Sequence, residues 1–236
     1  MTNKQKKKYA KKNKGDAHLK ARAKQHTVYK NADGKRVPGV TTILGVIAKP
    51  HLIPWANRLG LEGVDSTKYT SEAATIGTLA HDMVHEYLDP SDEHKVDFTH
   101  YSISQVQLAE QCLESFYEWL ALNPIEVIFL EKAIVSEAFQ YGGCIDCYCR
   151  INGKFVLLDF KTGSGIYPDM AYQLAGYANN LKEIGHIVDY AMILNIPRGK
   201  NESFITARYD DLTIQFNSFL AAQTIYNNAK LIKGGV

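Results

Sequence analysis

The chain reads as an α/β protein with a mixed central β-sheet flanked by helices and preceded by a helical region. Three observations point there. Two long segments before residue 124 carry apolar residues at helical spacing, two runs around Asn152-Gly153 carry the signature of a tight hairpin, and helical and strand patterns then mix to the end. With 236 residues, 45% of them hydrophobic and 22% charged, the chain has the makings of one full-sized core and lacks an apolar run long enough to cross a bilayer.

Taken in order, Gln25 to Val40 reads as a strand-poor lead-in with a turn at Asp33-Gly34, followed by a short helical stretch at Thr41-Thr42-Ile43-Leu44 and a break from Pro50 to Pro54. Ser71 is placed to cap a helix in which Ile76, Ala80, Val84 and Leu88 recur at one-turn spacing, and Asp89-Pro90 ends it. A second helix spans Ser102 to Leu122 on the stripe Val106, Leu113, Phe116 and Leu120, closed by Asn123-Pro124. Glu126 to Phe139, Cys144 to Ile151 and Lys154 to Phe160 alternate as strands. A helix at Asp169 to Lys182, a buried strand at Ile187 to Ile196, an edge strand at Glu202 to Arg208 and a closing helix at Leu212 to Ile232 complete the expectation.

Charge divides the chain unevenly. Residues 1–24 hold ten Lys or Arg and one acid, leaving 17 bases against 24 acids in the remainder. A segment so basic and so poor in apolar periodicity is expected to be disordered, and serves either as a nucleic-acid-binding arm or as a solubilising terminus. Residues 25–236 then form one domain, mainly helical over 25–124 and sheet-based over 125–236. No secretory pattern follows the first lysines, so a cytoplasmic location is expected and membrane association is not. Cys144, Cys147 and Cys149 are close in sequence, but alternation in a strand sets Cys144 apart from the other two, which favours reduced thiols over a metal cluster.

The chemistry follows from hairpin arithmetic. A two-residue turn at Asn152-Gly153 makes Ile151 face Lys154, which sets Asp146 opposite Asp159. Two like charges so placed destabilise a sheet unless a cation neutralises them. Lys161 projects to the face of Asp159. Carboxylates on neighbouring strands beside a lysine suit magnesium-dependent hydrolysis of phosphodiesters. The competing reading is an Asp–Lys salt bridge at a strand end.

The segments Gly142-Gly143-Cys144-Ile145-Asp146, Leu157-Leu158-Asp159-Phe160-Lys161-Thr162-Gly163 and Gln173-Leu174-Ala175-Gly176-Tyr177 resemble, in order, the motifs of the PD-(D/E)XK nuclease superfamily, in its RecB-like and phage exonuclease branch. Gly77-Thr78-Leu79-Ala80-His81 with Glu86 resembles the helical motif of that branch. Val40 to Leu44 and Lys49-Pro50 to Trp55 resemble the start of phage exonucleases and of mitochondrial genome maintenance exonucleases. The resemblance implies a restriction-endonuclease-like core. It implies that Asp146, Asp159 and Lys161 are catalytic and that one or two Mg2+ or Mn2+ ions are held by His81, Asp146, Asp159 and the Phe160 backbone carbonyl. Glu137 is a further candidate ligand. Gln173, Tyr177 and Thr162 would contact DNA, as would Trp55 in a gateway with the His81 helix.

No cysteine follows Tyr177, so the iron–sulfur cluster of some relatives is not expected, and His81 with His85 lacks the Glu of a zinc protease motif. Gly142-Gly143 and Gly163-Ser164-Gly165 either admit a phosphate backbone or permit bends. The activity so implied is metal-dependent DNA exonuclease action on single strands or duplex ends, with a recombination or single-strand-binding protein as a conceivable partner. A structure-specific endonuclease or junction resolvase of the same superfamily is the first alternative, and a catalytically silent DNA-binding module the second.

Overall fold

The computed structural model describes residues 27–89, 91, 93–199 and 202–234, so the basic segment 1–24 and its expected disorder lie outside the described residues. The lead-in, expected to be poor in strands, pairs as a small hairpin of β1 (Tyr29–Lys30) and β2 (Arg36–Val37), turned by Gly34 at φ 76°. Four helices follow: α1 (Val40–Leu44), α2 (Leu52–Leu61), α3 (Ser66–Leu88) and α4 (Ile103–Leu122). Then come β3 (Ile125–Ser136), β4 (Tyr141–Ile151), β5 (Lys154–Lys161), α5 (Pro168–Glu183), β6 (Tyr190–Asn195), β7 (Ile205–Tyr209) and α6 (Thr213–Gly234).

Helix α3 begins five residues before the expected cap. Asp65, not Ser71, is its N-cap, and its carboxylate accepts from the amides of Thr67 and Lys68. Ile76, Leu79, Ala80, Met83, Val84 and Leu88 make its buried stripe. In α4, Ser102 and Gln105 form a capping box, while Val106, Ala109, Leu113, Phe116 and Trp119 are buried. Pro168 at the first turn of α5 costs no hydrogen bond there.

The five main strands form one mixed sheet in the order β3-β4-β5-β6-β7, antiparallel except for the parallel pair β5–β6 that α5 connects. Helices α3 and α4 cover one face, where Phe116 and Trp119 are fully buried. Each such side chain contributes about 1.5–3 kcal/mol by leaving water. On the opposite face α1, α5 and α6 pack over Ile145, Leu157 and Ile193, with Leu174 and Phe219 between the layers. The sheet is thereby enclosed by two apolar layers, and the ends of its central strands are left to carry polar groups.

The hairpin forms in the expected register, from Ile151↔Lys154 to Cys147↔Leu158, with Asn152 and Gly153 both at positive φ. On β4 alternation then fails at one place, and β3 carries a further irregularity between Val127 and Phe129. Ile145 packs under α5 and α6, whereas Cys147, two residues on, packs under α3 and α4. The neighbouring strand changes faces at the same level, since Leu130 lies with the α3–α4 layer and Ile134 with the other. Between them stand Asp146 and Glu131, bracketed by the rungs Leu130↔Cys147 and Lys132↔Ile145. Glu131 takes φ 45°, in the left-handed region that a residue with a β-carbon enters only under local strain.

Candidate active site

Three strands and two helices converge on this irregular rung. Asp146 does not continue the hairpin ladder as Asp159's backbone partner. Its carboxylate Oδ2 instead accepts from the Phe160 amide at 2.9 Å, so the side chain occupies the place of a strand partner and lies against the end of β5. From α3, His81 brings Nδ1 to 3.8 Å from the same oxygen. The His81 ring meets Phe160 edge-on with centroids 6.1 Å apart, and Phe160 meets Phe116 likewise at 5.8 Å. This aromatic chain fixes the imidazole against the sheet.

Glu131 completes a group. His81, Glu131 and Asp146 each offer one donor atom, and all three atoms lie within 4.8 Å of one another. An imidazole nitrogen and two carboxylate oxygens converging at that spacing fit a divalent cation, and the oxygens favour a hard one. Glu137, the sequence candidate for this place, is elsewhere. It lies beyond the end of β3, where its carboxylate accepts from the Ala32 amide at 2.8 Å. Glu131 escaped the sequence reading because strand alternation is not kept at its position. The pairing of β3 with β4 is the signal that finds it.

Asp159 is fully buried and in direct contact with the Lys161 ammonium through Oδ2. Burial pushes its carboxyl up to about 6, the nearby Lys161 cation opposes that rise, and Asp146 adds to it. The two aspartates therefore sense each other electrostatically even though they are not a ladder rung. Burial works against the charge on Lys161, but Asp159 and Asp146 outweigh it and hold the ammonium above its ordinary range. Gln173 of α5 donates to Tyr177 Oη at 2.8 Å and reaches Asp159 Oδ1 at 3.4 Å. Burial and the two aspartates push the Tyr177 hydroxyl well above its ordinary range.

The glycines next to Asp146 have a packing role. A β-carbon at Gly143 would stand 2.5 Å from the Tyr177 ring, and one at Gly142 would stand 2.1 Å from the Tyr29 ring. Gly142-Gly143 thus admits two aromatic rings onto the strand, where a phosphate backbone or a bend had been expected. Gly77 does the same for the other wall, since a β-carbon there would meet Thr162 Oγ1 at 2.9 Å. That contact sets Thr162 beside the His81 helix.

Some sequence candidates stay apart. Trp55 packs edge-on against Tyr69, with ring centroids 5.8 Å apart. Tyr69 precedes His81 by twelve residues on α3, or about 18 Å at 1.5 Å per residue. Trp55 is therefore not beside the His81–Glu131–Asp146 group. His85 stacks on His94 at 4.1 Å. Cys147 and Cys149 are buried in the core, and the half-buried Cys144 places Sγ 3.5 Å from Glu131 Oε2.

No protein-family model matches the chain. Mouse mitochondrial genome maintenance exonuclease 1 is 26% identical over 162 residues, covering 64% of this chain and 46% of the relative. The motif order, the clustered site and this relative support assignment to the nuclease superfamily. The chain spans about half the length of that curated relative. Among solved structures, the alkaline exonuclease of Laribacter hongkongensis aligns at TM-score 0.37 and 8% identity, over 84% of this chain and 92% of that one. SSO0001 aligns at TM-score 0.33 and 13% identity, over 64% of this chain and 72% of that one. Among the described residues, no helix is long and apolar enough to cross a membrane.

Proposed function

We propose that the protein is a metal-dependent deoxyribonuclease that removes nucleotides from strand ends. The observation that carries this reading is the meeting of the buried Asp159–Lys161 pair with His81, Glu131 and Asp146 at one end of the central strands. Asp146, Asp159, Glu131 and His81 would hold one or two Mg2+ or Mn2+ ions, with the Phe160 carbonyl as an added oxygen donor. When bound, such an ion polarises the phosphate and lowers the pKa of a water ligand.

The protein's own groups supply the rest. Lys161, kept cationic by its two aspartates, suits hydrogen-bond donation to the attacking water or to the charge that builds on the phosphate, and not proton abstraction. Asp159 is ionised at neutral pH despite its burial, which readies it as an oxygen donor. Gln173, tied to Tyr177, holds the orientation of Asp159 and presents its face of α5 to the DNA backbone together with Thr162. Trp55 and Tyr69 form an outer aromatic pair suited to stacking bases of a strand that approaches along α3.

The deciding assay supplies end-labelled single- and double-stranded DNA, blocked at either terminus, and covalently closed circles, with magnesium or manganese. Linear strands should shorten from an unblocked end while circles survive. Efficient cutting of circles would assign an endonuclease instead, and binding without cutting would assign a silent DNA-binding module.

A further inference from the structure

A buried amide stands beside Lys161 and is only half used. Asn195 ends β6, and the parallel register of β5 and β6 sets it level with Lys161, as Ile193 is level with Asp159. Side chains two apart on a strand share a face, so Asn195 and Lys161 project to the same side of the sheet as Asp159. Asn195 is fully buried. Its Nδ2 donates to the Gly163 carbonyl at 3.1 Å, and the Ile196 amide donates to the Lys161 carbonyl at 2.7 Å. The end of β6 thereby ties down the chain on both sides of Thr162. Because a carbonyl only accepts, the Gly163 bond fixes the nitrogen end of the amide there and turns Oδ1 away from it. Oδ1 is sealed from solvent and has no hydrogen-bond partner among the described residues.

A buried acceptor without a donor forfeits the hydrogen bonds that water would have made, a loss that native structures rarely accept. The same rung holds a donor, the Lys161 ammonium. It carries three N–H groups on a flexible stem, and it leans on Asp159 Oδ2. The other oxygen of Asp159 faces Gln173 at 3.4 Å, so both oxygens are engaged. Asp159 cannot give Oδ2 to a cation and keep its hold on the ammonium with that same oxygen. A second acceptor on the adjoining strand resolves the conflict, and Asn195 Oδ1 is the unpaired one on that rung.

We infer that Asn195 is a positioning residue whose Oδ1 takes over the Lys161 ammonium when Asp159 turns to a bound cation. The inference rests on the nuclease reading above and adds to it the group that keeps Lys161 aimed at the phosphate. Asn195 itself touches neither the DNA nor the reacting atoms, and acts through the lysine.

Two measurements test it. The first compares Asn195→Leu, which removes both polar atoms, with Asn195→Asp, which keeps an acceptor and loses the donor to Gly163. On linear DNA with magnesium, Asn195→Leu should lower kcat by about tenfold or more, the size of one hydrogen bond to a charged group, with KM little changed. Asn195→Asp should recover most of that loss. Equal damage in the two variants would mean that the amide serves only to hold Gly163, and would overturn the inference. The second measurement reads no hydrolysis. In protein isotopically labelled at the lysine Nζ atoms, the NMR signal of Lys161 is assigned by its absence from Lys161→Met. Magnesium should move that signal in the native protein and leave it visible. In Asn195→Leu the ammonium, released by Asp159 with no second acceptor, should exchange with water and its signal should fade. The same response to magnesium in native protein and Asn195→Leu would overturn the inference. A response that depends on Asn195 in a protein that cuts no DNA would overturn the nuclease reading and leave the pairing of Lys161 with Asn195 standing.

Discussion

Replacing Asp159 with Asn should separate two consequences of its burial. Its carboxyl is raised from the ordinary value of 3.8 to about 6, chiefly because the fully buried group is costly to ionise. A raised carboxyl pKa means that the folded protein holds the proton more tightly than the unfolded chain. The resulting stability is present below about pH 3.8 and is lost as pH rises through about 6. At 1.36 kcal/mol per pKa unit the whole effect is about 3 kcal/mol, of which about 2 kcal/mol falls between about pH 4.5 and pH 7.5. Asn cannot ionise, so Asp159→Asn removes this loss. The substitution also takes away the counter-charge of Lys161. In the native protein burial works against the Lys161 charge while Asp159 and Asp146 hold it, and in the variant Asp146 is the aspartate that remains. Urea unfolding of both proteins in a chelator should therefore show the stability difference moving about 2 kcal/mol in the variant's favour as pH rises. A difference that does not change with pH would refute the electrostatic account. The same variant should lose DNA hydrolysis while retaining DNA binding.

Three further outcomes follow from the geometry. Glu131→Gln should weaken Mn2+ binding by roughly tenfold or more in calorimetry, and Glu137→Gln should leave it unaltered, because only Glu131 stands with His81 and Asp146. Gly143→Ala should force the Tyr177 ring off β4 at a cost of roughly 1–3 kcal/mol, seen as a fall in Tm of several degrees with a changed near-ultraviolet dichroism. Phe116→Ala should lower stability by about 3–5 kcal/mol in urea unfolding and also weaken metal affinity, since Phe116 backs the Phe160 ring on which His81 rests. Unchanged affinity in a folded Phe116→Ala protein would mean that the aromatic chain does not position the imidazole.

Much of this arrangement was legible before any coordinates. Asn152-Gly153 specified the hairpin and its register because a two-residue turn leaves no freedom in which residues face each other. The apolar stripes of α3 and α4 specified the layer over the sheet, although the stripe alone hid the first turn of α3 that Asp65 caps. Asp146, Asp159 and Lys161 came from register together with motif order. Glu131 could not, because its backbone leaves the strand conformation at the point where the chain changes faces. The roles of Gly142 and Gly143 were equally hidden, since the rings that press on them come from Tyr29 and Tyr177, more than 30 residues away in either direction. Local periodicity describes what a segment prefers and says little about which distant side chain will lean on it.

The Tyr29 ring has a practical implication for anyone wishing to shorten the protein. Its phenol roofs the Gly142 backbone, and burial together with the neighbouring Cys144 and Glu131 pushes its hydroxyl up to about 12. The little hairpin that carries it looks expendable on a diagram, being two residues to a strand. Cutting the chain back to the first helix would nonetheless uncover the strand that carries Asp146 where the Tyr29 ring now lies on it. A trimmed version should retain everything from Val28 onward.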